Sequence, residues 1–235
     1  MQELWKHKLQ WDETISPNIS QEWTKLAEDM MLVKDIKIPR LLSRNKQFQL
    51  FGFSDASEKA YAAVIYCRSV LDDKQISVQL VVSKTRVAPL KNESLPRVKL
   101  SGALLLVKLM KFTCSALNIP ISQSHFYTDS TIVLSWLGSP SSRWKTFVAN
   151  RVAKIQSLSS PNQWHHISGD TNPADIATCG VSSSTLFTSQ WFSSPTFLYQ
   201  PISFLTNMLI SQMCKPMPEE RVCTVQSIAY YQPFI

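Results

Sequence analysis

The segment that most restricts the fold of this chain is RVKLSGALLLVKLMKFTCSALN, residues 97–118. It is apolar nearly all round from Val98 to Met110, whereas a surface helix keeps one face polar. Asn118 and Pro120 mark its end. The pattern therefore predicts a buried helix that lies against a sheet.

Three strand-like runs precede this helix. They are QLFGFSDAS, AYAAVIYCRSV and QISVQLVVSKTRV, and their short connections favour an antiparallel meander. Five further elements follow it: strand SHFYTDS, helix STIVLSWLG, helix RWKTFVANRVAKIQSL, strand QWHHIS and helix TNPADIATCG. The order predicts an α/β fold.

The flanking segments differ from this central part. Residues 1–45 read as a mostly helical, polar entry segment that contains Trp5, Trp11 and Trp23. Residues 46–193 hold the predicted α/β domain. Residues 194–235 show no clear period and are predicted to be a C-terminal linker or tail.

Composition narrows the class of protein. The 24 basic and 17 acidic residues give a net charge of +7, which favours a polyanionic partner. Five scattered cysteines without a C-x-x-C pair predict reduced thiols in an intracellular compartment. The charged N-terminus does not resemble a signal peptide, and no membrane span is predicted.

Three aspartates in separate motifs point to chemistry: Asp55 in FGFSDAS, Asp129 in HFYTDST and Asp175 in DTNPADIAT. Carboxylates gathered from distant parts of a chain are what a two-metal phosphodiester hydrolase needs. Each alone also fits a cap or a surface charge, and Asp175 suits the first turn of a helix capped by Asn172. Together they predict a metal site.

The same blocks resemble ribonuclease H type 1 domains. They resemble even more closely the reverse transcriptase–ribonuclease H region of BEL/Pao long-terminal-repeat retrotransposon polyproteins. Six blocks occur in register over about residues 50–193: GFSDASEKAYAAVIY, SKTRVAPLK, SLPRVKLSGALLL, YTDSTIVLSW, SSRWKTFVANRVAKIQ and NPADIATCG. LWKHKLQWDE resembles the segment that connects polymerase and ribonuclease H.

This resemblance implies a ribonuclease H-like five-stranded mixed sheet flanked by helices, with a helical N-terminal connection segment. Asp55 would lie in the first strand, Asp129 at the end of the fourth and Asp175 in the helix after the fifth. With a glutamate from the first long helix they would hold two Mg²⁺ ions and cleave the RNA strand of an RNA–DNA hybrid.

The chain departs from the family pattern at two positions. Lys99 stands where the family has the catalytic glutamate, and Cys179 stands where it prefers a basic residue. Glu93 is close in sequence but precedes the helix, so we do not expect it to replace the missing ligand. Lys99 is expected to pair with Asp55 or Asp129 and to impair cleavage.

Several other residues could be functional or purely structural. The basic residues Arg143, Lys145, Arg151 and Lys154 either contact phosphates of a hybrid or form a solvated helix face. His166 either assists product release, as a histidine does in some ribonucleases H, or is an ordinary strand-end histidine, which we favour. Trp144 is predicted to be core. No D-T-G or D-S-G triplet occurs, so the sequence lacks the motif that would form the catalytic dyad of an aspartic peptidase.

Two functions follow as hypotheses. One is a Mg²⁺-dependent endonuclease for RNA–DNA hybrids; the other is a catalytically inactive domain that binds nucleic acid or docks on a polymerase. Lys99 favours impaired cleavage. The expected partners are an RNA–DNA hybrid and the reverse transcriptase domain of the same polyprotein. The expected location is the cytoplasm or virus-like particles, with the nucleus as an alternative.

Overall fold

The computed structural model describes residues 9–10, 12–39, 48–70, 75–90, 93–200 and 219. Trp5, Trp11 and most of the predicted C-terminal tail lie outside these residues.

A five-stranded mixed sheet forms the centre of the molecule, as predicted. Strands β1 (Phe48–Ala56), β2 (Ala60–Val70) and β3 (Ile76–Val87) form the antiparallel meander. Strands β4 (Ser124–Thr128) and β5 (Trp164–His166) add in parallel on the other side of β1. The strand order is β3-β2-β1-β4-β5, which places β1 in the middle.

One face of the sheet is covered by helices α2 (Leu95–Leu117), α3 (Thr131–Leu137) and α4 (Thr146–Gln156). By length and composition alone α2 would suffice to cross a membrane, but its apolar residues pack on the sheet. Trp136 and Trp144 are fully buried in this layer, so the core position predicted for Trp144 is confirmed. Alternation along β1 sends Leu50 to this face and Phe51 to the other.

The opposite face is covered by α5 (Pro173–Cys179) and by the segment that ends the described domain. That segment contains α6 (Ser183–Thr188), α7 (Gln190–Ser193) and a 3-10 turn at Thr196–Tyr199. The aromatic rings of Phe53 and Tyr127 stack here with centroids 5.0 Å apart. The core therefore has two layers, one on each side of the sheet.

The domain boundary predicted after residue 193 falls inside packed structure. Leu198 is fully buried, and the buried Arg68 donates from Nε to the Leu198 carbonyl at 2.8 Å and from Nη2 to the Gln200 carbonyl at 3.0 Å. A buried guanidinium needs such acceptors because it cannot lose its charge. The folded unit therefore continues at least to Gln200.

The N-terminal segment contains a helix, as predicted. Helix α1 (Pro17–Met31) begins with Pro17 in its first turn and buries none of its residues. It attaches through Asp29, whose Oδ2 accepts from the Ser183 N–H at 2.8 Å and from its hydroxyl at 3.0 Å. Asp29 therefore satisfies a free N–H at the start of α6.

Candidate functional site: a lysine across two aspartates

Parallel pairing of β1 with β4 brings two of the predicted aspartates together. Ser54 is in register with Thr128 across these strands, and Asp55 and Asp129 each follow directly. Asp55 is 5% exposed and lies opposite Ala62 on the other side. The carboxyl ends of these two neighbouring inner strands thus place both aspartates at the same end of the sheet.

Helix α2 brings Lys99 against this pair. The helix approaches closely because Gly102 has no Cβ: one added there would lie 2.9 Å from the Asp55 carbonyl oxygen. Lys99 Nζ hydrogen-bonds Asp129 Oδ2 and lies 3.3 Å from Asp55 Oδ1. A single ammonium therefore bridges both aspartates, more than the single pairing expected from the sequence.

The bridge keeps the lysine charged. Burial alone would lower the pKa of Lys99, but the hydrogen bond and charge of Asp129 and the charge of Asp55 outweigh it and raise this pKa above its usual value. Glu93 is not part of this arrangement, since its Oε2 pairs with Arg97 Nη1 at 3.1 Å. The position of Glu93 is therefore consistent with the expectation that it does not replace the missing metal ligand.

The third predicted aspartate engages a different partner. Asp175 lies exposed in the first turn of α5, where Asn172 is the N-cap, and its Oδ1 accepts from the Cys179 thiol at 3.2 Å. This hydrogen bond raises the pKa of Cys179, with burial as a lesser cause. The predicted metal role of Asp175 stays a prediction.

Thr178, which the sequence reading missed, connects α5 to Asp55. Its Oγ1 lies 2.8 Å from Asp55 Oδ2 and 3.0 Å from the Asp175 carbonyl oxygen. The available signal was spacing, because Thr178 follows Asp175 by about one turn of the helix. Asn172 adds a second link by donating from Nδ2 to the Ser54 carbonyl at 3.1 Å.

Whether these residues suit two Mg²⁺ ions depends on Lys99. Asp55 Oδ1 and Asp129 Oδ1 are buried and accept no hydrogen bond within the described part of the chain, which would suit a cation, but Asp55 Oδ1 already faces the Lys99 ammonium at 3.3 Å. A divalent ion about 4 Å from the ammonium would be repelled by about 8 kcal/mol at an effective dielectric of 20. Across the described ranges no three His, Cys, Asp or Glu side chains are grouped to hold a metal. With Lys99 in place, the site does not fit two Mg²⁺ ions.

The four predicted phosphate-binding residues have different surroundings. Arg143, Lys145 and Lys154 are exposed, and the Arg143 guanidinium lies 5.3 Å from the Trp144 ring centroid. Arg151 is half-buried: its guanidinium stacks 3.5 Å from the Phe147 ring centroid, and its Nε donates to Ser101 Oγ at 3.3 Å. Arg151 therefore joins α4 to α2. Phosphate contact by these residues stays a prediction.

Two other histidines near this end of the sheet, His125 and His165, are half-buried and contact each other. His166 is half-buried at the end of β5, opposite Thr128, and its product-release role stays a prediction. The preceding His165 has Nε2 3.4 Å from Nδ1 of His125 on the neighbouring strand. Burial and then the charge of His125 lower the pKa of His165 to about 4, and burial lowers that of His125.

Acid should weaken the fold through this histidine pair. Because His165 is neutral when folded but titrates near 6.5 when unfolded, its contribution is complete above about pH 6.5 and is lost as the pH falls towards 4. The free energy of unfolding should drop on the order of 2 kcal/mol over this range. Urea unfolding of the chain and of His165→Phe checks this; an equally steep pH dependence in the variant would contradict it.

Comparison with known proteins now identifies the family. The family model described as the Pao retrotransposon-like RNaseH-like domain matches residues 1–130, more than half of the chain. The chain belongs to this family. The matched range of the Pao domain includes Asp55, Lys99 and Asp129 but ends before Asp175. A search of curated proteins finds no match.

Solved ribonuclease H structures are similar to the Pao domain. The N-terminal RNase H domain of a Mycobacterium tuberculosis protein is 11% identical, with a TM-score of 0.39 over 60% of this chain and 96% of that one. An RNase H1 called LC11, solved with an RNA/DNA hybrid, is 9% identical, with a TM-score of 0.39 over 60% of this chain and 99% of that one. RNase H1 of Halobacterium salinarum is 11% identical, with a TM-score of 0.34 over 60% and 98%.

Proposed function

We propose that this Pao domain binds RNA–DNA hybrids through their phosphates and that Lys99 impairs its cleavage of the RNA strand. The observation that carries the proposal is the ammonium of Lys99 bridging Asp55 and Asp129. Asp55 and Asp129 would be the metal-holding carboxylates of a nuclease, but the Lys99 ammonium contacts both and compensates part of their negative charge.

The electrostatics at the bridge explain why cleavage would suffer. Two-metal hydrolysis uses carboxylates to hold ions that stabilise the attacking and leaving oxygens. Here one oxygen of each aspartate already contacts the ammonium, and Thr178 occupies the second oxygen of Asp55. The net charge of these two aspartates and the lysine is about −1 instead of the −3 that a glutamate at position 99 would give.

Binding does not depend on the bridge. The chain carries a net charge of +7, and Arg143, Lys145 and Lys154 are exposed at or near α4. Such residues contact phosphates without reading base sequence, so the affinity should depend on salt far more than on sequence. Lys145 and Lys154 make the clearest test.

The first test is hybrid binding and cleavage by the unmodified chain. We expect fluorescence anisotropy of a labelled hybrid to show affinity that falls steeply with salt, with little cleavage in Mg²⁺ or Mn²⁺. Lys145→Gln or Lys154→Gln should each lower the slope of log affinity against log salt by about 1. Lys25→Gln, which changes an exposed lysine on α1, is the matched control and should leave the slope unchanged.

Two results would contradict this proposal. Affinity that stays constant from low to moderately high salt would show that binding does not depend on phosphate contacts. Strong cleavage by the unmodified chain, abolished by Asp129→Asn, would show that the Lys99 bridge is tolerated.

The proposal also includes the reverse transcriptase domain of the same polyprotein as partner, in the cytoplasm or in virus-like particles. Immunoprecipitation of a tagged polyprotein from cell fractions tests both points.

A further inference from the structure

Glu219 contacts two residues, Arg97 and Lys145, that are distant from it in sequence. Its carboxylate receives two hydrogen bonds from the guanidinium of Arg97, Nε to Oε1 at 3.2 Å and Nη2 to Oε2 at 3.0 Å. Its carbonyl oxygen accepts from the Lys145 N–H at 2.8 Å. The residue therefore lies where the starts of α2 and α4 meet.

The backbone of Glu219 shows that the contact is specific. Its φ is +72°, in the left-handed region that side chains other than glycine disfavour. Such a conformation persists where surrounding contacts compensate for it. The two-pronged ion pair with Arg97 and the hydrogen bond from Lys145 are the contacts that do so here.

Arg97 is part of a preorganised basic site. Its guanidinium carbon lies 4.8 Å from the Phe147 ring centroid, and that of Arg151 lies 3.5 Å from the same centroid. Stacking on an aromatic ring fixes the plane of a guanidinium, so the side chain loses less conformational entropy when it binds an anion. One ring thus orients two cationic groups beside the start of α4.

We propose that Arg97 is a phosphate-binding residue for the nucleic-acid strand and that Glu219 occupies its place in the free chain. A guanidinium donates two parallel hydrogen bonds to a carboxylate or to a phosphate in the same bidentate geometry, so the Glu219 carboxylate stands in for two phosphate oxygens. This inference rests on the proposed function and adds to it a contact residue and an internal competitor.

Arg97 lies close to the two aspartates along α2 but on a different side of the helix. It is two residues before Lys99, about 3 Å along the helix axis and about 200° around it, so it faces Phe147 on α4 and not the Lys99 bridge. A strand that contacts Arg97 would therefore run past the starts of α2 and α4, beside the two aspartates. The exposed side chain of Lys145 lies at the same place.

Displacement of Glu219 is physically accessible. The side chains of Arg97 and Glu219 are 29% and 16% exposed, so solvent and a strand reach the pair. Partly exposed ion pairs contribute little to stability and weaken with salt. A polyanion can therefore replace the single carboxylate, whereas the more buried Lys99 bridge would resist it.

The test compares Glu219→Gln with Glu93→Gln. Each substitution removes one negative charge beside Arg97. Glu93 contacts only Nη1 of Arg97, whereas Glu219 contacts Nε and Nη2. We expect Glu219→Gln to raise hybrid affinity on the order of fivefold at low salt and to steepen the salt slope by about 1. Glu93→Gln should change affinity less than twofold, and adding Arg97→Gln should abolish the gain from Glu219→Gln.

A second readout uses inorganic phosphate. At matched ionic strength, phosphate should raise the melting temperature of Glu219→Gln relative to chloride by more than it raises that of the unmodified chain or of Arg97→Gln with Glu219→Gln, in which only the general stabilising effect of phosphate acts. Unchanged affinity in Glu219→Gln, an equal gain in Glu93→Gln, or a gain that survives Arg97→Gln would overturn the inference while hybrid binding stands. If no form binds hybrid, the proposed function fails, and the phosphate measurement alone supports or overturns the Arg97 site.

Discussion

Lys99→Glu should raise hybrid cleavage in Mg²⁺ on the order of 100-fold, because it returns a metal ligand and removes a positive charge in one change. Close packing of α2 at Gly102 fixes where position 99 points, so the new carboxylate would meet Asp55 and Asp129. Single-turnover cleavage of a labelled RNA–DNA hybrid measures the gain. Adding Asp129→Asn should abolish it.

Metal binding by the same variant gives a readout apart from activity. Without Mg²⁺ three carboxylates would repel one another, so the melting temperature of Lys99→Glu should fall. Millimolar Mg²⁺ should restore it, because a ligand that binds the folded state stabilises that state. The unmodified chain should show no such recovery. A variant that gains Mg²⁺ stabilisation without cleavage would locate the remaining defect outside the bridge, with Cys179 as the first candidate.

Lys99→Met should destabilise the fold by about 3 kcal/mol, because it leaves two carboxylates without their counter-ion. Removing one partner of a buried pair costs about 3–5 kcal/mol, and the lower value applies because Lys99 and Asp129 are each 17% exposed. Urea denaturation at neutral pH measures the loss. Lys108→Met, an exposed lysine on the same helix, is the control and should change stability by less than about 0.5 kcal/mol.

A double variant separates the ion pairs from packing of the lysine stem. Combining Lys99→Met with Asp129→Asn removes one of the stranded charges, so the loss should be smaller than the sum of the two single losses. Additive losses would mean that the bridge carries no coupling energy. The expected stability contribution of Lys99 would then have to come from its methylene groups alone.

Much of the fold could be predicted because burial repeats at regular intervals. The nearly all-apolar α2 and the alternation along β1 to β3 follow from which faces meet the core. Residues 195–200 were not predicted to belong to the domain, because they bury Leu198 without a hydrophobic period in their sequence. Their partner, the buried Arg68, is recognisable only once β2 and the segment lie side by side.

Only part of the candidate site was predictable from the sequence. Motif order indicated that Asp55 and Asp129 would meet, and the parallel register of β1 and β4 brings them together. The Thr178 contact was not predicted because it depends on how α5 is set against β1. Nor could sequence spacing foresee Glu219, since 122 residues separate it from Arg97.

The Lys99 bridge also changes what selection would act on. Once an ammonium relies on two aspartates for its compensation, losing either aspartate harms folding whether or not the chain cuts anything. Asp55 and Asp129 would then persist in a non-catalytic lineage under selection for a stable protein alone. In this Pao domain both aspartates contact the Lys99 ammonium, so their presence alone does not indicate an intact nuclease, and a survey of retroelements should score position 99 before counting aspartates.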